Sequence, residues 1–189
     1  MRITGGNLRG RNLITPRDDR VRPTSDKVRQ AMFNILMHND FGIGFALDGA
    51  RVADIYAGTG ALGIEAISHG AAWCLFVDDH AESRALVREN VEALGLTGAS
   101  KIWRRDATDL GPMNTGAGGP FDLVFLDPPY RKNLMTPALA ALREGGWLSP
   151  NALIVAETAE DEQAVSADGF RQIDSRIYGD TRVEFLALA

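Results

Sequence analysis

The sequence has one cysteine, Cys74, and only three histidines among its 189 residues. A single cysteine excludes an intrachain disulfide and any metal site built from several cysteines. The histidines lack metal-ligand spacing and are expected on helix surfaces, so we expect no bound metal. No apolar run approaches the ~20 residues that span a bilayer. The first residues also lack the apolar core of a signal peptide. These absences predict a cytoplasmic protein without a membrane segment.

The charge is distributed unevenly along the chain. Residues 1–32 contain eight lysines and arginines and three aspartates, a net charge of +5. Since the whole chain carries −5, the remaining 157 residues carry −10. A basic segment in front of an acidic body indicates an anionic partner for the basic end. A solvated arginine-rich face is an equally good interpretation of the charge alone.

Short apolar runs alternate with helical patterns from residue 51 onward. Strands are predicted at 51–56, 73–77, 101–103, 121–126 and 152–156, with helices at 61–69, 80–94 and 134–143. This alternation predicts crossover units and an α/β fold with a mostly parallel sheet. Two further strands, 170–178 and 182–188, predict an antiparallel hairpin at one edge, which makes seven strands in all.

The first 50 residues precede this alternating pattern. Glycines between short extended runs in residues 1–15 predict a small β-hairpin or a glycine-loosened arm. The polar stretch 17–22 is typical of a loop. A helix then begins at Thr24 or Ser25, either of which is a good N-cap, and continues to about His38. We therefore predict a single domain made of a basic arm (1–23), a leading helix (24–38) and a Rossmann-like core (51–189).

A glycine-rich turn follows the first strand of the predicted core. Gly58, Gly60 and Gly63 match the G-x-G-x-x-G pattern of dinucleotide-binding proteins. Methyltransferases that use S-adenosylmethionine have a similar loop with an acid four residues before the first glycine, and Asp54 matches this pattern. The loop predicts a nucleoside cofactor and leaves nicotinamide dinucleotide and S-adenosylmethionine both open. A tight turn without a ligand is the remaining interpretation.

Acidic residues follow the next two strands. Asp78 directly follows an apolar run, where its carboxylate could accept two hydrogen bonds from a ribose diol; the adjacent Asp79 is expected to be solvated. Asp106 is expected at the end of the third strand, where it could accept a hydrogen bond from an adenine amino group. Because ligands of such sheets bind at the carboxyl ends of the strands, these acids together support a nucleoside ligand.

The motif Asp127-Pro128-Pro129-Tyr130 follows the fourth predicted strand. The prolines fix φ and remove two backbone donors, so the nearby carbonyls remain free to accept hydrogen bonds. Asp127 and the Pro128 carbonyl could accept both N–H bonds of an amine, and Tyr130 could stack on its ring. This set favours a planar aromatic amine as substrate and has no evident use in a dehydrogenase. A stiff turn is the alternative without a function.

These motifs resemble class I S-adenosylmethionine-dependent methyltransferases that modify exocyclic amino groups. The segments 2–6, 8–11 and 22–29 further resemble the bacterial 16S ribosomal RNA guanine-N2 methyltransferases of the RsmD type. The resemblance covers nearly the whole chain, with Asp78 standing where a glutamate is frequent. It implies methyl transfer from S-adenosylmethionine, leaving S-adenosylhomocysteine, to N2 of a guanine in 16S rRNA. The implied partner is the small ribosomal subunit or an assembly intermediate, and we expect a monomer.

The resemblance also implies roles for individual residues. The catalytic residues would be Asp127, Pro128, Pro129 and Tyr130. The cofactor would be bound by Asp54, Ala57, Gly58, Thr59, Gly60, Gly63, Asp78, Asp106, Ala107 and Asp127. RNA would be bound by Arg9, Arg11, Arg22, Thr24 and Arg29.

Some interpretations stay open at this point. Glu65 is explained equally well as a surface or helix-dipole charge and as a ligand contact, and Asp26 as a helix-start charge or a site residue. A methyltransferase acting on another amine, such as adenine in DNA or a protein glutamine, fits the motif Asp127–Tyr130 as well. A ribosome-assembly factor that keeps the fold without catalysis is a further alternative, although binding alone would not need this motif.

Overall fold

The computed structural model describes residues 1–16 and 24–189; residues 17–23, which include Arg22, lie outside the described residues. The helices are α1 (Asp26–His38), α2 (Ala61–Ser68), α3 (Ala81–Ala93) and α4 (Met135–Glu144). The strands are β1 (Arg51–Ile55), β2 (Trp73–Val77), β3 (Ser100–Trp103), β4 (Phe121–Leu126), β5 (Leu148–Ala159), β6 (Phe170–Tyr178) and β7 (Thr181–Leu188). Within the described ranges, no helix is both long and apolar enough to cross a membrane.

The seven strands form one sheet in the order β3-β2-β1-β4-β5-β7-β6. The strands β1 to β5 are parallel, whereas β7 pairs antiparallel with both β5 and β6. Parallel neighbours need crossover connections longer than a turn, and the helices α2 and α3 supply two of them. The predicted α/β fold, with its mostly parallel sheet and C-terminal antiparallel hairpin, is confirmed.

Two strands differ in extent from the sequence prediction. The strand β5 begins at Leu148, four residues early, because Pro150 and Asn151 are exposed and interrupt the apolar run by which a strand is recognised. The strand β3 ends at Trp103. Asp106 therefore lies three residues beyond the strand, in a loop, and not at the strand end as predicted.

Each face of the sheet packs against its own helices, because alternate side chains of a strand point to opposite faces. Phe76 and Phe125 belong to a core shared with the N-terminal arm, α1, α2 and α3. Val77 and Leu126 belong to a second core shared with α4. The carboxyl ends of the parallel strands lie between these two layers, where loops from both sides meet.

The N-terminal arm folds back on itself and packs on α2. Arg2 and Asn12 form an antiparallel bridge, with a 3₁₀ turn at Gly6–Leu8 between them. The Leu8 amide donates to Ser68 Oγ of α2 at 2.9 Å. The described part of the arm is therefore attached to the helix that follows the glycine-rich turn.

The start of α1 separates the roles of two neighbouring hydroxyls. Ser25 is the N-cap, since its Oγ accepts from the Val28 amide at 3.2 Å. Thr24 instead donates from Oγ1 to Glu157 Oε2 of β5 at 2.7 Å. The sequence left the N-cap open between the two residues, and the structure assigns it to Ser25.

Candidate active site

Carboxylates that follow the apolar runs of β2, β4 and β5 meet at one edge of the sheet, with β1 lying between β2 and β4. The parallel register pairs Ile55 of β1 with Val77 and Leu126, and Leu126 with Ala156. The residues that directly follow Val77, Leu126 and Ala156 therefore lie at the same edge: Asp78, Asp127 and Glu157. Two of these acids were predicted from the sequence. Glu157 was missed, although it follows an apolar strand as Asp78 and Asp127 do.

The glycine-rich turn is held by two of the predicted carboxylates. Asp54 Oδ2 accepts from the Gly63 amide at 2.9 Å, and Asp78 Oδ2 accepts from the Gly58 amide at 3.0 Å. Gly60 caps α2 with φ of 79°, a conformation that favours glycine. A Cβ on Gly63 would lie 2.5 Å from Cys74 Sγ, which confirms that this glycine permits close packing of α2 on the sheet.

The arm reaches the same turn through Asn90 of α3. Asn90 Nδ2 donates to the carbonyl oxygens of Thr59 and Ile14, each at 3.0 Å, and Asn90 Oδ1 accepts from the Ile14 amide at 2.7 Å. Thr59 and the neighbouring Ala57 are buried. The arm, α3 and the glycine-rich turn are thus joined by one buried amide that sequence reasoning did not single out.

The edge of the sheet is strongly acidic. Burial raises the pKa of Asp54 to about 8, a rise that the Gly63 amide opposes and the Asp78 charge reinforces. The pKa of Asp127 is raised well above its usual range, first by burial and then by the charges of Glu157 and Asp54. Each of these acids is costly to ionise beside the others. A bound cation would relieve this cost, whereas the pyrophosphate of a dinucleotide would increase it.

Asp106 differs from the other acids in being exposed. Its Oδ1 accepts from the Thr108 amide at 2.8 Å and from Thr108 Oγ1 at 2.7 Å, and both hydrogen bonds lower the pKa of Asp106. The neighbouring Ala107 is buried. Oδ2 of Asp106 takes neither of these bonds, so it is available to a donor such as an adenine amino group.

The motif after β4 is fastened to β5. Tyr130 donates from its hydroxyl to Glu157 Oε1 at 2.7 Å, and Thr181 Oγ1 lies 3.4 Å from the same hydroxyl. Pro128 is buried and Pro129 is exposed. The chain therefore runs from the interior at Pro128 to the surface at Pro129. The hydrogen bond to Glu157 fixes the ring of Tyr130 relative to β5.

A cavity of about 360 Å³ adjoins this motif. Its walls are formed by the residues 128–130, the start of α4, the end of β5 and the segment 162–166. The volume lies in the usual range of small-molecule sites, roughly 300–1,000 Å³. The cavity therefore has room for a planar group beside Pro128 and Tyr130. Asp127, which precedes Pro128 in the chain, does not itself line the cavity.

The structure corrects the prediction that Arg29 contacts RNA. Its side chain is fully buried, and its Nε donates to the equally buried Glu65 at 2.9 Å. Another nitrogen, Nη2, lies 2.9 Å from Asp26 Oδ1. A guanidinium with no exposed surface cannot meet a phosphate, so the role of Arg29 is structural.

His69 differs from its predicted surface position, and burial excludes the surface alternative that the sequence left open for Glu65. Glu65 accepts from the Thr4 amide at 2.9 Å and the Gly5 amide at 2.9 Å, in addition to Arg29. His69 is 15% exposed, and its ring stacks on Phe33 with centroids 5.1 Å apart. Both side chains are covered by the N-terminal arm. The sequence pattern of α2 alone does not predict this contact.

The remaining predicted RNA contacts are Arg9, Arg11, Thr24 and Arg22. Arg9 and Arg11 are exposed on the arm, where they can meet a partner. Thr24 faces Glu157 and so belongs to the wall of the site behind Tyr130. Arg22 lies outside the described residues.

Comparison with known proteins identifies the family. A family model described as conserved hypothetical protein 95 matches residues 1–187. The chain is 35% identical over 159 residues to ribosomal RNA small subunit methyltransferase D of Escherichia coli, covering 84% of this chain and 74% of that protein. It is 36% identical over 161 residues to YlbH of Bacillus subtilis, covering 83% and 82% respectively.

The solved structures include a similar fold. The Escherichia coli protein yhhF superposes with a TM-score of 0.80 at 27% identity, covering 100% of this chain and 97% of that one. The chain therefore resembles these proteins both in sequence and in fold. This protein belongs to the RsmD-type methyltransferase family.

Proposed function

We propose that this protein transfers the methyl group of S-adenosylmethionine to the exocyclic N2 amine of a guanine in 16S ribosomal RNA. The observation that carries the proposal is the Asp127–Tyr130 motif at the end of β4, beside a glycine-rich turn held by Asp54 and Asp78. Membership in the RsmD-type family supports methyl transfer to ribosomal RNA. The choice of guanine N2 rests on the amine-accepting chemistry of the motif and on the family resemblance of residues 2–29.

The charge of the site supports S-adenosylmethionine over a dinucleotide. Asp54, Asp78, Asp127 and Glu157 surround the place where the cofactor would lie, and burial with mutual repulsion raises the pKa values of Asp54 and Asp127. A sulfonium and an amino group neutralise such a site. Asp78 could accept from the ribose diol and Asp106 from the adenine amino group, so the residues present fit this cofactor.

The chemistry follows from what these residues can accept. When bound, S-adenosylmethionine supplies a methyl group on a positively charged sulfur, which is already activated and needs no metal. The N2 amine is a poor nucleophile because its lone pair is delocalised into the guanine ring. Asp127 and the Pro128 carbonyl accept its two N–H bonds and so localise the lone pair toward the methyl group. Well-held partners can contribute about 7–11 kcal/mol to lowering the barrier.

The base must leave its stack to reach Asp127. Unstacking costs a few kcal/mol, and stacking on the ring of Tyr130 offsets part of that cost. Asp127 is placed to take the proton released by the amine, directly or through water. The hydrogen bond from the Tyr130 hydroxyl to Glu157 keeps the ring in one orientation before the base arrives.

The basic arm supplies the contact with RNA. Exchange of Arg9 and Arg11 for alanine should weaken RNA binding and flatten its salt dependence, because each lost phosphate contact lowers the slope of log K against log salt by about 0.7–0.9. Binding of a 16S rRNA fragment at several salt concentrations measures this. Arg171→Ala, which removes an exposed arginine from β6, is the matched control. An unchanged slope in the arm variant would exclude phosphate contact by these residues.

The proposal is tested by transfer of labelled methyl from S-adenosylmethionine to small ribosomal subunits that lack the modification. Naked 16S rRNA, duplex DNA and bulk protein serve as parallel substrates. We expect label in RNA, with subunits or assembly intermediates preferred because an acidic body limits indiscriminate RNA binding. Label in DNA or protein instead would move the activity to another amine. Binding of S-adenosylmethionine without any transfer would favour an assembly factor.

The proposed partner also implies a location and a state. Ribosomal subunits are assembled in the bacterial cytoplasm, so we place the protein there. We propose a monomer, because one chain supplies both the acids for the cofactor and the motif for the amine.

A further inference from the structure

Glu157 neither accepts from the amine nor takes its proton in the reaction described above, yet it contacts Tyr130 directly and lies beside Asp127. It is 5% exposed at the end of β5, next to Asp127 in the parallel register. Its two oxygens accept from different elements: Oε1 from the Tyr130 hydroxyl and Oε2 from the Thr24 hydroxyl, each at 2.7 Å. A buried carboxylate beside Asp127 is costly unless hydrogen bonds satisfy its oxygens.

The hydrogen bonds of Glu157 continue toward the cofactor side. Arg29 Nη1 donates to the Thr24 carbonyl at 3.3 Å, and Arg29 Nε donates to Glu65 of α2 at 2.9 Å. The N-cap of α2 is Gly60, in the glycine-rich turn. A continuous set of contacts therefore runs from Tyr130 to the helix that carries the cofactor turn, and Glu157 is the only member that touches both Tyr130 and Thr24 among the described contacts.

We propose that Glu157 is a positioning residue for methyl transfer: it fixes the ring of Tyr130 and ties it, through Thr24 and Arg29, to the helix of the cofactor turn. The proposal rests on the proposed function and deepens it. It assigns a common role to Thr24 and Arg29, which lie far from the Asp127–Tyr130 motif in the sequence. A catalytic site needs neighbouring side chains whose hydrogen bonds hold the reacting groups in one rotamer.

The charge of Glu157 provides a second readout. The groups that act on Asp127 are Glu157 from β5 and Asp54 from β1, both of which raise its pKa, and Thr24, whose hydrogen bond lowers it. Removing the charge of Glu157 therefore lowers the pKa of Asp127. Because the reaction needs ionised Asp127, the acid side of the pH–rate profile should then move to lower pH.

The first test is Glu157→Gln, which keeps the shape and one accepting oxygen. We expect kcat to fall about 10- to 100-fold, the scale of a misplacement near 1 Å. The dissociation constant of S-adenosylmethionine and the KM for RNA should change little, and the acid limb should shift to lower pH. Thermal stability should not fall, since a repulsive buried charge is lost. Glu160→Gln, which removes an exposed carboxylate just after β5, should leave all these quantities unchanged.

The second test uses the two hydroxyls. Tyr130→Phe keeps the ring and removes its hydrogen bond to Glu157, so it should lower kcat. Combined with Glu157→Gln the losses should not add, because glutamine is a weaker acceptor and both changes weaken the same hydrogen bond. Thr24→Val should lower kcat, whereas Thr24→Ser, which keeps a hydroxyl, should restore most of it. If Glu157→Gln does not fold, Tyr130→Phe decides, because Thr24 also hydrogen-bonds Asp127 and its variants do not isolate Glu157. An unchanged kcat in Tyr130→Phe would then overturn the role of Glu157.

The outcomes are separable. Absence of transfer by the unmodified protein would overturn the proposed function itself. An active protein whose Glu157→Gln variant keeps its kcat and its pH profile would overturn the role of Glu157 alone. Additive losses for Glu157→Gln and Tyr130→Phe would also overturn it, because the two residues would then act separately.

Discussion

Methyl transfer by the Asp127→Ala variant should be about 100- to 10,000-fold slower than by the unmodified protein, the range for removing a proton acceptor or a group that stabilises developing charge. Asp127 is the one side chain at the end of β4 placed to accept an amine N–H beside the Pro128 carbonyl. Alanine removes that acceptor. It also removes a repulsive charge, since the pKa of Asp127 is raised by burial and by Glu157. The variant should therefore fold and still bind S-adenosylmethionine.

Single-turnover transfer and calorimetric binding of S-adenosylmethionine measure the two halves of this prediction. Asp109→Ala is the matched control, because Asp109 is an exposed aspartate in the loop after β3. Near-normal transfer by Asp127→Ala would remove Asp127 from catalysis. Loss of cofactor binding together with transfer would instead place its main role on the cofactor side.

The largest effect on stability is expected at Arg29. Its exchange for methionine leaves Glu65 buried without its cation, a loss of about 3–5 kcal/mol in the free energy of unfolding. Although burial alone raises the pKa of Glu65, hydrogen bonds from His69, Thr4 and Arg29 outweigh it and lower the pKa below its usual value. This contribution is therefore present at neutral pH and is lost as the pH falls through the lowered pKa.

Urea unfolding of three variants tests the pair. Arg29→Met should be strongly destabilised, and adding Glu65→Gln should recover part of the loss because the stranded charge is neutralised. Arg171→Met removes an exposed arginine and should change stability by no more than about 0.5 kcal/mol. A loss of similar size at Arg29 and Arg171 would contradict the buried pairing.

The strands of the sheet were predicted well because each strand is marked by residues that are close together in the sequence. Each of the five parallel strands contains an apolar run, and glycines or polar residues follow, so strand order was the main unknown. The edge acids Asp78 and Asp127 follow such runs directly and were found by that rule. Glu157 obeys the same rule but was not predicted, because no glycine-rich turn or proline motif adjoins it in the sequence.

The residues that the sequence misplaced have partners far along the chain. Arg29 and Glu65 are 36 residues apart and Thr24 and Glu157 are 133 apart. A basic residue in a basic segment is expected to contact solvent or phosphate unless its acidic partner is known. Arg29 and His69 are buried because the N-terminal arm folds over α2. The hydrophobic periodicity of the arm or of α2 does not predict this packing.

The central claim is methylation of guanine N2, and nucleoside analysis of the product tests it most directly. Small subunits lacking the modification are treated with S-adenosylmethionine and the protein, and their 16S rRNA is digested and analysed by mass spectrometry. We predict one new nucleoside, N2-methylguanosine, absent when Asp127→Ala is used. A methylated adenosine, or a methylated guanosine of another isomer, would contradict the assignment of the Asp127–Tyr130 motif to guanine N2.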